Sequence, residues 1–283
     1  MPFHVHIEEA AAAYPEYQFV RALTPSVQKA AFHVRDASGH DLCLKIISPE
    51  YELDRLRREI GALQLLTHPN VVRLVEYTYS SRTGSLRHFM IEEFIQGTDL
   101  SERLVEGRQW EPQETARFFG ALLEGLSALD EKNIVHRDLK PSNIRVRTNG
   151  DPVIIDFGLA RHLDQPDLTR TSQGAAIGTP CYFAPEQFCG TKYDIDPRTD
   201  LFAAGILLHQ ALVGRHPFWR VGMTRQELSE AIITSEAYKL AEEFQGLPSN
   251  WRLLVSRLLA KSRASRPRHA GDVVTILRRL ETG

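Results

Sequence analysis

The sequence has few cysteines, little net charge and no long uninterrupted apolar run. Its 283 residues include three cysteines, Cys43, Cys181 and Cys189, without the paired spacing of a metal site. This small, odd number argues against a disulfide framework, so we expect a reducing, cytoplasmic environment. The formal net charge is −2, which provides no electrostatic footprint for nucleic acid or for an anionic membrane. We expect neither as a partner.

No segment has the pattern of a secretion signal or a membrane span. Residues 1–9 contain Pro, His and Glu where a signal peptide needs a basic start and an apolar run. The most apolar later stretch, residues 201–213, is interrupted by His209 and Gln210. Because the sequence ends at Gly283, we expect no sensor domain, and we expect any upstream signal to come from a partner protein, a neighbouring chain or an omitted segment.

The sequence does contain a strand-rich beginning followed by a helix-rich remainder. Apolar segments bounded by turn residues predict strands at 17–23, 30–35, 41–47, 71–79 and 86–93. Apolar residues at spacings of three and four predict an amphipathic helix from Leu53 that ends before His68. Further helices are predicted at 112–132 and 200–213. The second has Asp200 as its expected N-cap and an almost wholly apolar body, which indicates a buried central helix.

Two motifs in the second half carry the strongest signal. Residues 136–143 read His-Arg-Asp-Leu-Lys-Pro-Ser-Asn, and residues 156–158 read Asp-Phe-Gly. Together they resemble the catalytic loop and the metal-binding motif of eukaryotic-type (Hanks-type) serine/threonine protein kinases. The resemblance covers roughly residues 17–280. It implies an α+β, bilobal kinase fold, with an N-terminal extension at 1–16, a β-rich N-lobe at 17–96 and a larger helical C-lobe at 97–283.

The resemblance also implies roles for residues of the two motifs. Asp138 would take the proton of the attacking hydroxyl, and Lys140 would stabilise charge on the transferred phosphate. Asn143 and Asp156 would hold Mg²⁺, with Mn²⁺ as an alternative.

Two residues of the predicted N-lobe complete this set. By resemblance, Lys45 on the third predicted strand would reach the ATP phosphates, and Glu59 on the predicted helix would hold Lys45 in place. Either residue alone is more typical of a solvated surface charge. Their order and spacing relative to Asp138 and Asp156 favour the functional interpretation.

The segment before residue 186 points to the kind of substrate. Residues 178–186 read Gly-Thr-Pro-Cys-Tyr-Phe-Ala-Pro-Glu and resemble the end of a protein-kinase activation segment, which forms a platform for an extended peptide. This favours protein substrates over small metabolites. By resemblance, Glu186 would pair with Arg266 and Asp200 would brace the catalytic loop. The alternative for Arg266 is a surface arginine in a basic run.

Regulation by phosphorylation is a further expectation. Arg137 places a positive charge where a phosphorylated activation loop could dock. The candidate acceptors are Thr169, Thr171 and Ser172. The alternative is that they are ordinary exposed hydroxyls in a loop.

The largest departure from the family pattern is the absence of glycine in the phosphate loop. Where the family has Gly-x-Gly-x-x-Gly-x-Val, residues 20–27 read Val-Arg-Ala-Leu-Thr-Pro-Ser-Val. Aligned on Val27, the pattern assigns Val20 and Val27 to the ATP pocket. Proline has no N–H and alanine adds a Cβ, so we expect a weakened phosphate cover. The hydroxyls of Thr24 and Ser26 could replace some of the lost donors.

Unexpected charges also occur around the predicted adenine pocket. Cys43 should face the adenine, and Glu92 falls just before the hinge residues Glu93 and Ile95. Arg145 stands where the family has an apolar floor. Glu92 and Arg145 could pair with each other, or Arg145 could stack on the purine. Alternatively, the alignment slips by one residue near Glu92, or Arg145 extends to solvent.

Two functions from different classes stay open at this stage. The first is an active serine/threonine kinase that transfers the γ-phosphate of Mg-ATP to protein hydroxyls. The second is a pseudokinase that acts as a scaffold or allosteric partner, for which the altered phosphate loop is the motive. The survival of the complete set of catalytic residue types favours the enzyme.

Overall fold

The structure, a computed structural model, describes residues 2–79, 88–158, 161–162, 180–189 and 195–282. Its strands are β1 Gln18–Ala22, β2 Lys29–Arg35, β3 Asp41–Ile47, β4 Leu74–Tyr79, β5 His88–Glu93, β6 Gly97–Asp99, β7 Ile134–Val135, β8 Ile144–Arg147, β9 Pro152–Ile154 and β10 Arg161–His162. Its helices are α1 Ile7–Ala13, α2 Leu53–Leu65, α3 Pro112–Glu131, α4 Pro185–Cys189, α5 Arg198–Val213, α6 Arg225–Thr234, α7 Glu242–Gln245, α8 Ser249–Leu258 and α9 Ala270–Thr282.

The N-terminal part is an antiparallel sheet in the order β1-β2-β3-β5-β4. Its register places Ala31 opposite Lys45 and Cys43 opposite Glu92, so alternate side chains of β2, β3 and β5 share one face. The short helix α1 covers the other face, where the ring of Tyr14 packs edge-on against Phe89 at 4.6 Å between ring centroids. This face has its own apolar core.

Helix α2 connects the sheet to the main core. The predicted stripe of Leu56, Ile60 and Leu63 is buried together with Met90 of β5, which confirms the amphipathic helix. The same spacing places Glu59 on the buried side of the helix. A charged residue therefore enters the interior beside the cleft.

The C-terminal part is built around α5, which is buried almost along its full length. Helices α3 and α8 pack against α5, and α9 packs on α3. At Gly205 of α5 an added Cβ would lie 2.7 Å from the Cβ of Leu258, so the missing side chain allows α5 and α8 to approach closely. The expectation that Asp200 is the N-cap of this helix is wrong. The helix begins at Arg198 after Pro197, and Asp200 lies in its first turn.

Small sheets position the loops between the two parts. Strands β6, β8 and β9 form one sheet, and β7 pairs with β10. The loop 136–140 and a 3₁₀ turn at Pro141–Asn143 lie between β7 and β8, so a strand holds the motif 136–143 at each end. A sheet-rich first part and a helical second part confirm the predicted α+β, bilobal class. None of the described helices is long and apolar enough to cross a membrane.

Candidate active site

A cavity of about 580 Å³ lies between the sheet of the first part and the loops of the second. Its walls include residues of the β1–β2 loop, β2, β3, the segment after β5, the 3₁₀ turn and the Asp-Phe-Gly motif. Lys29, Lys45, Lys140, Asn143 and Asp156 all line it. The folded chain thus brings basic, acidic and amide side chains to one cleft of a size suited to a nucleotide.

Asp200 holds the catalytic loop from below. Its carboxylate accepts hydrogen bonds from the backbone N–H of His136 at 2.7 Å and of Arg137 at 2.9 Å. Arg137 has a φ of +68°, a strained conformation for a residue with a Cβ, and these bonds stabilise it. Burial raises the pKa of Asp200, and the two amides partly oppose this effect. The predicted bracing role agrees with this geometry.

Asp138 lies at the centre of a compact polar group. Its Oδ2 accepts hydrogen bonds from Nζ of Lys140 at 2.7 Å and from Nδ2 of Asn143 at 3.1 Å. The same Asn143 nitrogen donates to the backbone oxygen of Asp138 at 2.8 Å. These bonds orient the carboxylate, so its other oxygen, Oδ1, is the one that a hydroxyl group in the cleft would approach.

The Asp-Phe-Gly motif follows β9 and faces the same cleft. Asp156 has a φ of +62°, and the fully buried Phe157 anchors the turn by packing edge-on against the His136 ring at 5.0 Å between centroids. The Tyr51 hydroxyl lies 3.3 Å from the carbonyl oxygen of Gly158 and also 3.3 Å from Oε2 of Glu59. Tyr51 therefore links the motif to α2.

The predicted pair between Lys45 and Glu59 is wrong. Glu59 instead pairs with Lys29 of β2, whose Nζ also lies 3.0 Å from Oδ1 of Asp156. Lys45 pairs with Glu92 of β5 at 2.6 Å. The physical reason is the register of the sheet. Glu92 lies directly opposite Cys43, and Lys45 is two residues further along β3 on the same face, so Lys45 and Glu92 are diagonal neighbours.

The paired carboxylates set the protonation states of these groups. Burial alone would lower the pKa of Lys29, but Asp156 and Glu59 raise it well above the ordinary lysine value. Burial alone would raise the pKa of Asp156, but Lys29 and Lys45 hold it below its usual range. Lys29 and Asp156 are therefore both charged at neutral pH, which is the state that phosphate and metal binding require.

Sequence reasoning missed Lys29, although its sequence position contains a signal. Lys29 is a charged residue at the start of β2, followed by Ala30, Ala31 and Phe32. The period of a strand places Lys29 on the same face as Ala31, and therefore on the face that carries Lys45. Identifying Lys29 as a cleft residue required the register of β2 against β3. The sequence did not give this register, because residues 20–27 lack the glycines on which the family pattern is aligned.

The assignments of Val20 and Val27 to the ATP pocket are wrong. Both side chains are exposed, Val27 to 67% of its surface, and neither lines the cavity. Ala22 of β1 and Ala31 of β2 occupy the cavity wall instead. The alignment on Val27 was displaced because Ala31, not Val27, lies opposite Lys45.

Arg145 does not pair with Glu92. Its Nη1 donates to Oδ1 of Asp99 at 2.8 Å, and its Nη2 donates to the carbonyl oxygens of Ile95, at 3.3 Å, and Gly97. Arg145 thus ties β8 to the chain that follows the hinge, and the extension to solvent is excluded as well. The guanidinium still borders the cavity, so the sequence expectation that it meets the purine stays a prediction.

The other residues predicted for the adenine pocket do border the cavity. Cys43, Glu93 and Ile95 line it, and Glu93 also forms an ion pair with Arg147 at 3.1 Å. Burial raises the pKa of the Cys43 thiol to about 12, so the thiol stays protonated and acts as a small apolar wall.

The structure contains the predicted ion pair of Glu186 with Arg266. Nη1 and Nη2 of Arg266 donate to the two carboxylate oxygens of Glu186 at 2.7 and 2.8 Å. The Arg266 side chain is fully buried, and its Nε donates to the carbonyl oxygen of Ala260 at 2.8 Å. The interpretation of Arg266 as a surface arginine is therefore wrong.

A link between α4 and the catalytic loop was not predicted. Nε2 of Gln187 in α4 donates to the carbonyl oxygen of Arg137 at 2.9 Å. The candidate phosphorylation sites Thr169, Thr171 and Ser172 lie outside the described residues.

The donor set of the cleft fits a magnesium ion shared with phosphate groups. Asp156 offers a carboxylate, and Asn143 offers an amide oxygen because its nitrogen is engaged by Asp138. In the described ranges no group of three or more His, Cys, Asp or Glu side chains forms a closed metal site. Mg²⁺ typically uses one or two carboxylates and completes its shell with water and phosphate oxygens.

Comparison with known proteins agrees with this geometry. The protein kinase domain family matches residues 29–274. Serine/threonine-protein kinase pkn2 of Myxococcus xanthus is 33% identical over 232 residues, which are 79% of this chain and 27% of that protein. The probable serine/threonine-protein kinase PknB of Bifidobacterium longum is 29% identical over 250 residues, 84% of this chain and 35% of that protein.

A plant protein gives a similar result over a shorter segment. CBL-interacting protein kinase 1 of Oryza sativa subsp. japonica is 37% identical over 177 residues, 62% of this chain and 36% of that protein. The chain thus spans about a quarter to a third of the length of these curated relatives. The match over residues 29–274 covers most of the sequence, and the chain belongs to the protein kinase domain family.

Proposed function

We propose that this chain is an active serine/threonine protein kinase domain that transfers the γ-phosphate of Mg-ATP to hydroxyl groups of protein substrates. The observation that carries the proposal is the group formed by Asp138, Lys140 and Asn143 at the edge of a nucleotide-sized cleft. A scaffold has no physical need for a carboxylate oriented in this way between a cation and an amide. The names of the bacterial relatives support the same activity class.

In this mechanism Asp138 orients the substrate hydroxyl and accepts its proton. The hydroxyl oxygen forms a bond to the γ-phosphorus, and the bond between that phosphorus and the bridging oxygen of ADP breaks. Lys140, whose Nζ lies 2.7 Å from Oδ2 of Asp138, brings positive charge to the same point. It stabilises the charge that develops on the phosphoryl oxygens.

Asn143 and Asp156 would hold the magnesium ion. When bound, the ion neutralises the phosphate charge and polarises the transferred group. Phe157 and the two bonds of Tyr51 hold the backbone around Asp156, so the carboxylate faces the cleft before any ligand arrives. Mn²⁺ is the alternative ion.

The phosphate loop of this kinase works without glycine. Oγ of Ser26 accepts hydrogen bonds from the backbone N–H of Gln28 at 3.2 Å and of Lys29 at 3.0 Å. The hydroxyl thus closes a tight turn at the end of the loop. We infer that Ser26 shapes the loop from inside, which differs from the expectation that it replaces glycine N–H donors toward the phosphates.

The peptide platform supports a protein as the substrate. Glu186 and Arg266 brace the segment that begins at Pro180, and Gln187 connects it to the catalytic loop. We keep two finer points within the proposal, namely activation by phosphorylation at Thr169, Thr171 or Ser172 and control by a regulatory protein. A cytoplasmic location and the lack of nucleic-acid or membrane partners also stay predictions from the sequence.

Transfer of labelled γ-phosphate from Mg-ATP tests the proposal. The wild type should label itself and a generic basic acceptor protein, and Asp138→Asn should lower the rate roughly 100-fold or more, because it removes the base but keeps the shape. Asp54→Asn, on the exposed side of α2, is the control and should retain the wild-type rate. Mapping of the label would show whether the three candidate hydroxyls carry it.

The pseudokinase alternative rests on the glycine-free loop. If the wild type transfers no label at millimolar ATP with either divalent metal, or if Asp138→Asn transfers as fast as the wild type, the proposed catalytic function is wrong. The scaffold function would then be the better description.

A further inference from the structure

Two buried lysines from neighbouring strands enter the same cleft and have separate partners. Lys29 of β2 and Lys45 of β3 lie on one face of the sheet, because Ala31 is opposite Lys45 and Lys29 is two residues before Ala31. Both side chains are almost fully buried and both line the cavity. Only Lys29 bonds Glu59 of α2 and Asp156 of the Asp-Phe-Gly motif, whereas Lys45 bonds Glu92 of β5.

Lys45 is engaged by a carboxylate of the sheet itself. Glu92 projects into the interior with 3% of its side chain exposed, and Nζ of Lys45 lies 2.6 Å from its Oε2. A buried carboxylate is costly unless a cation accompanies it, and removing one partner of such a pair is strongly destabilising. We therefore infer that the charge of Lys45 serves to neutralise Glu92 rather than to bind a ligand.

Lys29 has the connections that join α2 to the Asp-Phe-Gly motif. Its Nζ bonds Glu59 of α2 and lies 3.0 Å from Oδ1 of Asp156. A cation next to a predicted metal-binding carboxylate is well placed to meet the phosphates that would share the ion. Lys29 also pairs with the only fully buried carboxylate that α2 contributes among its described residues.

The backbone of Lys29 is held at the end of the phosphate loop. The backbone N–H of Ser26 donates to the Lys29 carbonyl oxygen at 2.9 Å, and Oγ of Ser26 accepts from the Lys29 N–H at 3.0 Å. The chain that passes over the cavity at Thr24–Ser26 therefore leads directly into this lysine. In a loop without glycine, a positive charge can compensate for lost backbone donors.

We propose that Lys29, and not Lys45, is the lysine that binds the ATP phosphates, and that the Lys45–Glu92 pair is a structural element of the pocket. The proposal rests on the proposed nucleotide-dependent function. It makes Lys29 a catalytic residue through direct contact with the phosphate oxygens, and it assigns Glu59 and Ser26 as positioning residues that hold Lys29.

Nucleotide affinity distinguishes the two lysines without requiring turnover. The affinities of Mg-ATP and of adenosine are measured by calorimetry for the wild type, Lys29→Met, the double variant Lys29→Met/Glu59→Gln and the double variant Lys45→Met/Glu92→Gln. The doubles remove both charges of a pair, so neither leaves a stranded buried carboxylate. Lys239→Met, at an exposed ion pair with Glu236, is the matched control and should behave as the wild type.

We expect both Lys29 variants to lose roughly 10- to 100-fold in ATP affinity while keeping adenosine affinity, because a charge-assisted contact to phosphate is lost. The Lys45/Glu92 double should lose at most about a tenth as much phosphate-dependent affinity. Thermal melting confirms that each variant is folded, and Lys29→Arg should recover part of the ATP affinity because it restores the charge.

The results separate failure of this inference from failure of the proposed function. Equal losses in the two doubles, a loss confined to the Lys45/Glu92 double, or a wild type that binds ATP no better than adenosine would each overturn the assignment of Lys29. The wild type could transfer no phosphate while Lys29→Met still lowers the affinity for ATP but not for adenosine. That result would support the assignment of Lys29 and contradict the proposed catalysis.

Discussion

Single residues in and below the cleft show how buried charges are stabilised by a partner. Glu59 of α2 and Glu92 of β5 are both buried, and each pairs with a lysine of the N-terminal sheet. Asp200 is buried too, but backbone N–H groups replace the cation. An isolated ionised side chain in the interior costs several kcal/mol, so each arrangement constrains the residues around it. The identity of the partner is what distinguishes a structural charge from one that can meet a ligand.

Gly97 is the residue at which a small change should cost most. It has a φ of +149°, and an added Cβ would lie 1.8 Å from the carbonyl oxygen of Val146, a contact no side chain can make. We expect Gly97→Ala to destabilise the domain by about 3 kcal/mol, measured by urea unfolding. Because Arg145 bonds the Gly97 carbonyl, the hinge side of the cavity should be disturbed as well.

A matched glycine separates backbone strain from the clash. Gly39 has a φ of +83°, but an added Cβ would meet nothing within 4 Å. Gly39→Ala should therefore cost only about 1 kcal/mol, the strain of the left-handed conformation. If the two variants lose equal stability, the close approach of β8 to Gly97 is not what requires glycine there.

Between elements, the bidentate ion pair of Glu186 in α4 with Arg266, which follows the 3₁₀ turn Arg263–Ser265, joins distant parts of the chain. Arg266 bonds Glu186 with two nitrogens and lies over the Phe202 ring at 4.8 Å from its centroid. It also donates to the carbonyl oxygen of Arg198 at 3.0 Å. Helix α4 and helix α5 are thus bonded to one guanidinium from the C-terminal segment, a geometry that suits Arg better than Lys.

Removal of this guanidinium should weaken the whole helical part. Arg266→Met leaves the buried Glu186 carboxylate without its cation, so we expect a loss of about 3–5 kcal/mol in the free energy of unfolding, measured in urea. The double variant Arg266→Met/Glu186→Gln should recover a substantial part of that loss.

An exposed arginine is the control for this effect. The ion pair of Arg57 with Asp54 on the surface of α2 has a distance of 3.5 Å and an arginine side chain that is 76% exposed. Arg57→Met should cost less than about 1 kcal/mol. A loss of similar size at Arg266 would show that the buried pair contributes little to the fold.

For the molecule as a whole, two histidines with lowered pKa values contribute to the response to acid. Burial lowers the pKa of His209 to about 4, and the pKa of the partly buried His216 is lowered to about 3 by the same cause. Nδ1 of His209 donates to the carbonyl oxygen of Arg215 at 2.9 Å, and Nε2 of His216 donates to that of Cys181 at 3.0 Å. Both bonds join segments of the C-terminal part.

His209 and His216 should therefore make stability fall as the pH falls from about 6.5 toward 4, whereas the raised pKa values of Glu59 and Asp200 act in the opposite direction. Between the ordinary histidine pKa of 6.5 and the lowered value of about 4, the unfolded chain binds a proton at His209 that the folded chain does not. Each such group contributes up to about 1.4 kcal/mol per pH unit. Urea unfolding at several pH values measures the slope.

The variant His209→Asn tests this origin of the pH dependence. It should lower stability at pH 7, because the packing is lost, but it should also make the profile flatter between pH 6.5 and 4. The same change at His216 should have an effect of the same sign. A slope identical to that of the wild type in both variants would assign the acid sensitivity to other groups.

The sequence by itself determined the fold class and the catalytic-loop motif, and it predicted the five strands of the N-terminal sheet and helices α2, α3 and α5. The predicted limits of β3, 41–47, match the strand as observed, and the predicted amphipathic helix begins at Leu53 as observed. These features depend on residues close together in the chain, through strand alternation, helical spacing and contiguous motifs. The ion pair of Glu186 with Arg266, although distant in sequence, followed from the family pattern.

Only the tertiary structure decided which charged residues meet in the cleft. Lys29 replaces Lys45 as the partner of Glu59, and Arg145 bonds Asp99 rather than Glu92. Each outcome depends on strand register and on the approach of elements separated by 30 residues or more. A shift of one residue in a strand turns a side chain to the opposite face, so linear spacing does not determine which lysine reaches which carboxylate.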